Sequence, residues 1–492
     1  MGASSSGDDH DVVMMASENR TRPRDDVLQR CSLTTMHTFR YRPKLLEGVA
    51  EQLTGELKQY EEWFIVDGAE LKAITEHFLT ELEKGLSIEG GCIRRHVKPM
   101  NITWVMKYPT GLEKGRILTV DMGGTNLRVC DVCLSARKRD FEQIQRKYKL
   151  PESVKTDTKE VLKPAKPLPM SFTFPFPVDQ RSIRSGILQR WTKNFNVPGV
   201  EGNDVVPQLE AALKRKNVPV TVVALLNDTV GTLVASHYRD PQVKMGSIFS
   251  TGCNAAYMED CRKIPKLQDA GLPEDATVII NTEYGAFDNE RQVLPLTPFD
   301  HQIDKQSAHP GTQIYEKMVA GLYIGEMLRL MMLTLHEKGV LFKNQDVTRL
   351  EAENALEASF LSIADIDLSE GLQDMREEFE ENLGLEPTLE ELKTCRYLIG
   401  LIATRAACLY ACGIAAICKK MNMRQCHVGV DGAVFNKYSM FKGRVAQGLR
   451  EIFDWQPGEV DLIALNAADD GSGVGAALVA SLCLSEEEMG PY

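Results

Sequence analysis

Hydrophobic residues follow a helical period in the first part of the chain and a strand-like pattern after Gly115. From about Lys44 the apolar positions recur every three to four residues, which predicts amphipathic helix. We expect Gly85 to form the C-cap of the last helix before the change. The apolar face of that helix contains five residues: Leu71, Ile74, Phe78, Leu82 and Leu86.

After Gly115 the apolar residues come in short runs that meet at glycine turns. RILTVDM, GGTN and LRVCDVCL (116–134) are typical of strand, turn and strand. KMGSIF, STGCN and AAYM (244–258) repeat that arrangement. A third apolar strand, HVGVDG (427–432), also runs into a glycine. The repetition indicates that the chain has two halves with the same arrangement of strands and glycine turns.

Helices are predicted between these strands, over Gln313–His336 and Leu389–Met421. The second helix begins with a capping box, Thr388-x-x-Glu391, which follows Pro387. Strands that alternate with helices in two similar halves predict an α/β protein. Because the halves are alike, we expect an internal duplication and a cleft between two lobes.

One stretch has the length of a membrane span. Tyr397–Cys418 would cross a bilayer, yet Arg405 lies near its middle and would cost about 2.5–3.5 kcal/mol there. Its many Ala, Gly and Thr residues suit close helix packing, so we predict a buried helix and no membrane span. Residues 1–36 are rich in Ser, Asp and Arg without a hydrophobic period, and we predict a disordered tail.

Charge and composition narrow the class of protein. The 492 residues carry 57 Lys and Arg against 69 Asp and Glu, and the net charge of −12 argues against nucleic-acid binding. The 12 cysteines are too few for a disulfide scaffold, and the polar N-terminus lacks the apolar core of a signal peptide. We therefore expect reduced thiols and a cytoplasmic location. Cys130 and Cys133 would lie on opposite faces of one strand, which argues against a metal or redox site.

The first glycine turn contains the residue types that bind phosphate. Its glycines let backbone N–H groups approach phosphate oxygens, and Thr125 adds a hydroxyl. Asp121 at the strand end suits a hydrated Mg²⁺, and Arg128 is a candidate phosphate ligand. An ordinary hairpin turn would explain the same pattern. However, Ser250–Asn254 supplies a second such turn, and two turns that face each other across a cleft would clamp a nucleotide.

An apolar strand, TVVALL, runs directly into Asn227 and Asp228. A carboxylate at the end of a buried strand is held rigidly, as a general base beside a bound hydroxyl must be. The same position suits an N-cap for the helix that VGTLVASHY predicts. The residues alone leave both interpretations open.

Nine sequence blocks, taken in their order, resemble a known family. Between about Pro43 and Cys483 the chain resembles the eukaryotic hexokinases of the fungal hexokinase and glucokinase group. The resemblance implies the two-lobed actin-like ATPase (ribonuclease H-like) fold with a sugar cleft between the lobes. It also implies transfer of the γ-phosphoryl of Mg-ATP to the 6-hydroxyl of glucose or a related hexose. The blocks are VDMGGTNLRV, SFTFPFPVDQ, GILQRWTKNF, LNDTVGTLVA, STGCNAAYME, NTEYGAF, PGTQIYEKM, VGVDGAVF and GSGVGAALVA.

The resemblance also implies roles at matched positions. Asp228 would be the catalytic base, and Lys193 would lie near the transferring phosphoryl group. The implied sugar-binding residues are Thr192, Lys193, Asn227, Asp228, Asn254, Glu283 and Glu316. The implied nucleotide-binding residues are Asp121, Gly123, Gly124, Thr125, Asn126, Arg128, Thr251, Gly252 and Gly432. Mg²⁺ is expected through ATP and water near Asp121 rather than on a set of protein ligands.

The resemblance further implies a domain organisation. The small lobe would occupy about 112–227, inside an N-terminal part over 37–236. The C-terminal part over 237–484 would form the large lobe, and 485–492 would be a tail. We expect the partners to be a hexose and ATP, with no nucleic acid, and the protein to be a monomer or homodimer.

Several departures from the family pattern raise a second hypothesis. Pro175 replaces a serine, Asn194 and Ser250 replace glycines, and the segment 158–170 is shorter than the family's, which carries a small-lobe helix. Ala433 is a milder change near the adenosine. The charged catalytic groups are all retained, so we favour the enzyme. The alternative is a catalytically weak or inactive sugar-sensing relative. A Rossmann dehydrogenase does not fit, because the chain lacks a strand–GxGxxG–helix with a following acidic residue.

Overall fold

The computed structural model describes residues 46–87, 100–122, 126–135, 141–149, 167–192, 195, 197–456, 460–468 and 471–484. Up to residue 239 the helices are α1 (Glu51–Phe64), α2 (Gly68–Leu86), α3 (Val205–Arg215) and α4 (Asp228–Arg239). The strands there are β1 (Asn101–Ile102), β2 (Lys114–Met122), β3 (Asn126–Ser135), β4 (Phe141–Lys149), β5 (Leu168–Thr173), β6 (Val178–Asp179), β7 (Ile187–Leu188) and β8 (Val220–Leu226).

From residue 243 onward the strands are β9 (Val243–Phe249), β10 (Cys253–Asp260), β11 (Thr277–Asn281), β12 (Cys426–Asp431) and β13 (Ile463–Ala467). The helices are α5 (Pro298–Gln306), α6 (Ile314–Val319), α7 (Gly321–Glu337), α8 (Thr348–Glu351), α9 (Ala358–Ile366), α10 (Gln373–Glu378), α11 (Leu389–Lys420), α12 (Ala433–Lys437), α13 (Phe441–Phe453) and α14 (Gly471–Cys483).

Two mixed sheets share one strand order. The five-stranded sheet of the small lobe runs β4–β3–β2–β5–β8, and the six-stranded sheet of the large lobe runs β1–β11–β10–β9–β12–β13. In each sheet three consecutive strands form an antiparallel meander, and the next two follow in parallel beside its first strand. Strand β1 adds an antiparallel edge to β11. The predicted α/β fold with an internal duplication is confirmed.

Helices α4 and α14 cross between the two sheets with their backbones in contact. Helix α4 packs on β9, β10 and β12 of the large lobe, and α14 packs on β2, β5 and β8 of the small lobe. A Cβ atom at Gly475 would lie 1.9 Å from the carbonyl oxygen of Gly231. One at Gly471 would lie 2.7 Å from the Cα of Thr232. Only glycine permits this approach, so the GSGVG sequence of α14 sets the distance between the lobes.

Helix α11 runs through the core of the large lobe. Its predicted capping box is present, because the Glu391 carboxylate accepts from the Thr388 N–H at 2.8 Å and the Thr388 hydroxyl accepts from the Glu391 N–H. Among the described helices it alone is long and apolar enough to cross a membrane, and 94% of its most apolar stretch is buried in the protein. Arg405 donates two hydrogen bonds of 2.8 Å to Asp300, and its guanidinium carbon lies 4.2 Å from the centre of the Phe64 ring. The structure therefore has the buried helix that was predicted for Tyr397–Cys418.

Two predicted helix boundaries are wrong. Helix α2 continues through the buried Gly85 to Leu86, and Ser87 is its C-cap. The predicted helix over Gln313–His336 is divided into α6 and α7 by the extended backbone of Ala320. At this division the Gly321 N–H donates to the Ser250 carbonyl at 2.9 Å. A hydrophobic period does not reveal this long-range contact with the second glycine turn.

Some sequence predictions fall on residues that the structure does not describe. The tail over 1–36 and residues 158–166 of the shortened segment lie outside the described residues. Cys130 is buried, whereas Cys133 is half-buried on the other face of β3. Across the described ranges, no group of three His, Cys, Asp or Glu side chains could hold a metal ion.

The crossing of α4 and α14 predicts opposite effects of the same substitution at two helical glycines. In Gly475→Ala the new methyl would collide with the backbone of Gly231, and overpacking of this kind costs about 1–3 kcal/mol. In Gly55→Ala, on an exposed face of α1, the methyl meets nothing within 4 Å. Alanine should stabilise that helix by about 0.5–1 kcal/mol.

The free energy of unfolding, measured for both variants and the unsubstituted chain by urea titration, tests this pair. We expect Gly475→Ala to lower it and Gly55→Ala to raise it. Equal increases in both variants would mean that the two helix backbones do not touch.

Candidate active site

The carboxyl end of β8 leads into the predicted base. Asn227 is the N-cap of α4, and its Oδ1 accepts from the Thr229 N–H at 3.0 Å. Asp228 is the first residue of the helix, and its Oδ1 accepts from the same N–H at 3.0 Å. The capping role that the sequence left open for Asp228 therefore belongs to Asn227. The positive end of the α4 helix dipole therefore lies beside the Asp228 side chain.

A network of amides and a carboxylate lies next to Asn227. The Asn254 Nδ2 donates to Asn281 Oδ1 at 2.8 Å, to Glu283 Oε1 at 3.2 Å and to Asn227 Oδ1 at 3.4 Å. The Asn281 Nδ2 donates to the same Glu283 oxygen at 2.9 Å. The structure thus brings together three of the predicted sugar-binding residues from β8, β10 and the turn after β11. Asn281 was not predicted as a site residue, although it is the first residue of the NTE motif that contains Glu283.

The backbone of Glu283 is itself unusual. Its φ of 51° lies in the left-handed region, which side chains other than glycine rarely adopt, and the residue is buried. Gln313 has the same conformation, with a φ of 54°. Such strained backbones cluster at binding sites, where the surrounding contacts hold them. Both residues directly precede a helical turn, and both lie at the predicted sugar site.

Glu316, in the first turn of α6, is the second buried carboxylate of the site. Its Oε2 accepts from the Cys253 N–H at 3.0 Å, and its Oε1 accepts from Gln313 Nε2 at 3.3 Å. The carbonyl oxygen of the Gln313 side chain accepts from Arg190 Nη2 at 3.3 Å. Gln313 and Arg190 were not predicted as site residues, although both lie in the matched blocks PGTQIYEKM and GILQRWTKNF.

A pocket joins Glu316 to the small lobe. Thr192 lines it from the small lobe, and Gln313, Glu316, Lys317 and Tyr323 line it from the large lobe. The structure therefore places Thr192 and Glu316, two of the predicted sugar-binding residues, in the lining of one pocket. Lys193 and Asn194 lie outside the described residues.

The Lys317 ammonium is buried at the wall of this pocket. It donates to Asp304 Oδ1 at 2.6 Å and to the His309 carbonyl at 2.8 Å. Burial lowers the pKa of Lys317 from its ordinary value, and the neighbouring Asp304 carboxylate opposes that shift. Asp304 also accepts from Arg291 at 2.6 Å, so it orders the loop that precedes α6.

On the predicted nucleotide side, Asp121 at the end of β2 accepts two hydrogen bonds. Arg128 Nη2 donates to Asp121 Oδ2 at 3.0 Å, and the Ser472 hydroxyl donates to the same oxygen at 2.7 Å. Arg128 also donates to the Ser472 hydroxyl. Ser472, at the start of α14, was not predicted, although the block GSGVGAALVA contains it. Gly123, Gly124 and Thr125 lie outside the described residues, as does the Asn126 side chain.

The second glycine turn lies against the predicted adenosine side. The Ser250 hydroxyl accepts from the Ala433 N–H at 3.3 Å, and Ser250 N–H donates to the Gly252 carbonyl at 2.9 Å across Thr251. Gly432 has a φ of 129°, and a Cβ atom there would lie 2.3 Å from the Phe249 carbonyl oxygen. Ser250, one of the departures from the family pattern, is thus accommodated by a direct hydrogen bond to the start of α12.

Comparison with known proteins identifies the family. Two family models, each described as Hexokinase, match residues 56–165 with 159–238 and residues 244–482. The hexokinase of Emericella nidulans is 49% identical over 465 residues, which cover 90% of this chain and 94% of the relative. Hexokinase-1 of Saccharomyces cerevisiae is 44% identical, with 88% of this chain and 93% of the relative covered.

A solved structure agrees with these sequence matches. The hexokinase from Schistosoma mansoni, complexed with glucose, has a TM-score of 0.78 at 31% identity. The superposition covers 88% of this chain and 99% of that one. This similarity confirms the expected two-lobed kinase fold. With such identity to its fungal relatives over nine-tenths of its length, the chain belongs to the hexokinase family.

Proposed function

We propose that this chain transfers the γ-phosphoryl group of Mg-ATP to the 6-hydroxyl of glucose or a related hexose. The observation that carries the proposal is the group of amides and buried carboxylates that surrounds the start of α4. Asn254, Asn281 and Glu283 bond one another beside Asn227, and Asp228 follows Asn227 directly. Family membership supports the same phosphotransferase activity.

These side chains suit a polyhydroxyl substrate. Each sugar hydroxyl donates one hydrogen bond and accepts others, and the site offers carboxylates as acceptors and amides as both donors and acceptors. Glu283 and Glu316 are buried, so their bonds to a bound sugar would form with little competition from water. The existing bonds from Asn254, Asn281 and Gln313 hold both carboxylates in place before the sugar arrives.

Asp228 is the residue that we propose as general base. Its carboxylate would accept the proton of the attacking 6-hydroxyl while that oxygen forms its bond to the γ-phosphorus, and the bond from this phosphorus to the bridging oxygen breaks to release ADP. The capping bond of Asn227 and the strand before it fix the direction of the first turn of α4. Asp228 is therefore held at one end of a rigid element, which general-base catalysis requires.

The residues near Asp121 fit a nucleotide that carries Mg²⁺. Bound Mg²⁺ would neutralise charge on the phosphates during transfer. A single carboxylate suits an ion that keeps most of its water shell and binds mainly to phosphates. The bonds from Arg128 and Ser472 orient Asp121 for this contact. Thr251, Gly252 and Gly432 would contact the nucleotide from the second turn.

The remaining parts of the proposal rest on the resemblance alone. Gly123, Gly124, Thr125, Asn126 and Lys193 keep the roles that the resemblance implies. A cytoplasmic monomer or homodimer completes the proposal. The burial of α11 inside the large lobe supports the absence of a membrane span among the described helices. Nothing in the described residues favours the inactive sugar-sensing alternative, since the Ser250 side chain fits beside Ala433.

Asp228→Asn tests the general base. Asparagine keeps the size of the side chain and its contact with the Thr229 N–H but does not accept the proton. We expect the turnover number with glucose to fall by about 10²–10⁴-fold or more, whereas the dissociation constant for glucose, measured by calorimetry, should change far less. Asp67→Asn, at the N-cap of the distant α2, serves as the control. Turnover within a few-fold of the unsubstituted enzyme would show that the base lies elsewhere.

Glu283→Gln and Glu316→Gln test the sugar site. Each change removes a charge but keeps the shape, and a charge-assisted hydrogen bond contributes about 1.5–3 kcal/mol. Calorimetry should therefore show glucose binding weakened about tenfold or more in each variant. The exposed Glu380→Gln, elsewhere on the large lobe, should bind glucose normally. Unchanged affinity in both site variants would place the sugar elsewhere.

Pro175→Ser tests the departure closest to the expected sugar loop. Pro175 is buried one residue after Phe174, whose N–H donates to the Leu226 carbonyl at 2.8 Å. A serine hydroxyl there should restore one neutral hydrogen bond to the sugar in the reacting complex. We expect kcat/KM for glucose to rise about two- to tenfold.

Pro207→Ser, at an exposed position in α3, controls for the chemistry of the substitution and should leave kcat/KM unchanged. A flat or falling value for Pro175→Ser would mean that the loop around residue 175 is built differently from the family's.

A further inference from the structure

Two adjacent small-lobe residues reach across the cleft. The Gln189 Nε2 donates to Asn101 Oδ1 at 3.0 Å, and the Arg190 Nη2 donates to Gln313 Oε1 at 3.3 Å. Asn101 lies in β1, the edge strand of the large-lobe sheet, and Gln313 precedes α6 of the same lobe. Both acceptors are side-chain amide oxygens, so both contacts depend on the relative position of the lobes.

Each acceptor in turn neighbours one of the two buried carboxylates. Asn101 pairs with Asn281 in the β1–β11 ladder, and the Asn281 Nδ2 donates to Glu283 at 2.9 Å. On the other side, the Gln313 Nε2 donates to Glu316 at 3.3 Å. Two consecutive side chains of one lobe are thereby connected to the two sugar-site carboxylates of the other.

The segment that carries Gln189 and Arg190 is fixed to its own lobe. The Gln189 N–H donates to the Pro177 carbonyl at 2.9 Å, and the Trp191 N–H donates to Glu201 at 2.6 Å. The Trp191 ring is buried against Phe176 at a centroid distance of 4.8 Å. The side chains therefore move with the small lobe as a whole, and their bonds to the large lobe form or break together with the cleft.

We propose that Gln189 and Arg190 act as a two-point latch that holds the cleft around the bound sugar. The latch rests on the proposed function, because its two acceptors neighbour the carboxylates assigned there to the sugar. Gln189 and Arg190 are positioning residues, since they act through Asn101 and Gln313 rather than on the reacting atoms. Two hydrogen bonds of ordinary strength suit this role, because the cleft must open again to release product.

Sugar affinity is the property that the latch controls. When one latch bond is removed, the closed complex loses stability relative to the open one, and glucose leaves more readily. Gln189→Met and Arg190→Met keep the length of each side chain but remove its donors. We expect either change to raise the calorimetric dissociation constant for glucose about three- to tenfold. The turnover number at saturating glucose should stay within about twofold, because the reacting groups are untouched.

Double-mutant cycles separate a latch from a general structural effect. The first matched pair is Gln189→Met with Asn101→Leu, and the second is Arg190→Met with Gln313→Met. Because each pair shares one hydrogen bond, the double variant should lose less affinity than the sum of the two single changes. We expect a coupling factor of about three- to tenfold in the glucose dissociation constant. The exchanged pairs, Gln189→Met with Gln313→Met and Arg190→Met with Asn101→Leu, should be additive within about 1.5-fold.

Arg184→Met provides the control for loss of a small-lobe arginine. Its guanidinium faces Glu210 of the same lobe at 3.9 Å, so its removal should leave glucose affinity unchanged. Urea unfolding of every variant shows whether the fold is intact. Coupling factors near one in both matched pairs, or equal coupling in matched and exchanged pairs, would overturn the latch.

Failure of the latch and failure of the proposed function give different results. If the unsubstituted chain does not phosphorylate any hexose, the proposed function is wrong. If it phosphorylates glucose and the matched cycles show no coupling, the function stands and the latch alone is wrong.

Discussion

The two lobes are joined by a contact between helix backbones, and the relative position of the two sides of the site depends on it. Gly475 of α14 lies so close to Gly231 of α4 that there is no room for a methyl group between them. One helix rests on the small-lobe sheet and the other on the large-lobe sheet. Because α4 begins with Asp228 and α14 begins beside Asp121, the same crossing fixes the proposed base and the proposed nucleotide side relative to each other.

In the proposed sugar site, hydrogen bonding and backbone strain have opposite effects on the free energy. Asn254 and Asn281 share one oxygen of Glu283, while Glu283 and Gln313 adopt left-handed conformations that cost free energy. The neighbouring bonds offset that cost, and the carboxylates are oriented before any ligand binds. Because the carboxylates are already oriented, little binding free energy is used to rearrange the protein, and more of it can serve to position the reacting hydroxyl.

The fold was largely predictable from local signals, and the site only in part. Alternating strands and helices in two halves predicted the duplication, and the capping box at Thr388 predicted the start of α11. The division of the helix over Gln313–His336 was not predictable, because its cause is a hydrogen bond from Gly321 to the distant Ser250. Asn281 and Ser472 were missed for the same reason, since the contacts of Asn281 with Asn254 and of Ser472 with Asp121 join residues far apart in the sequence.

The turn over Ser250–Asn254 serves both proposed substrates within five consecutive residues. At its first residue the Ser250 carbonyl accepts from the N–H that starts α7, and the Ser250 hydroxyl accepts from the N–H that starts α12. At its far end the Cys253 N–H holds Glu316, and Asn254 holds Glu283. This stretch has no freedom in length: one inserted or deleted residue would shift either the nucleotide contacts or the sugar contacts out of register. Among homologues, variation in loop length should therefore be excluded from these positions, although connecting turns elsewhere commonly tolerate it.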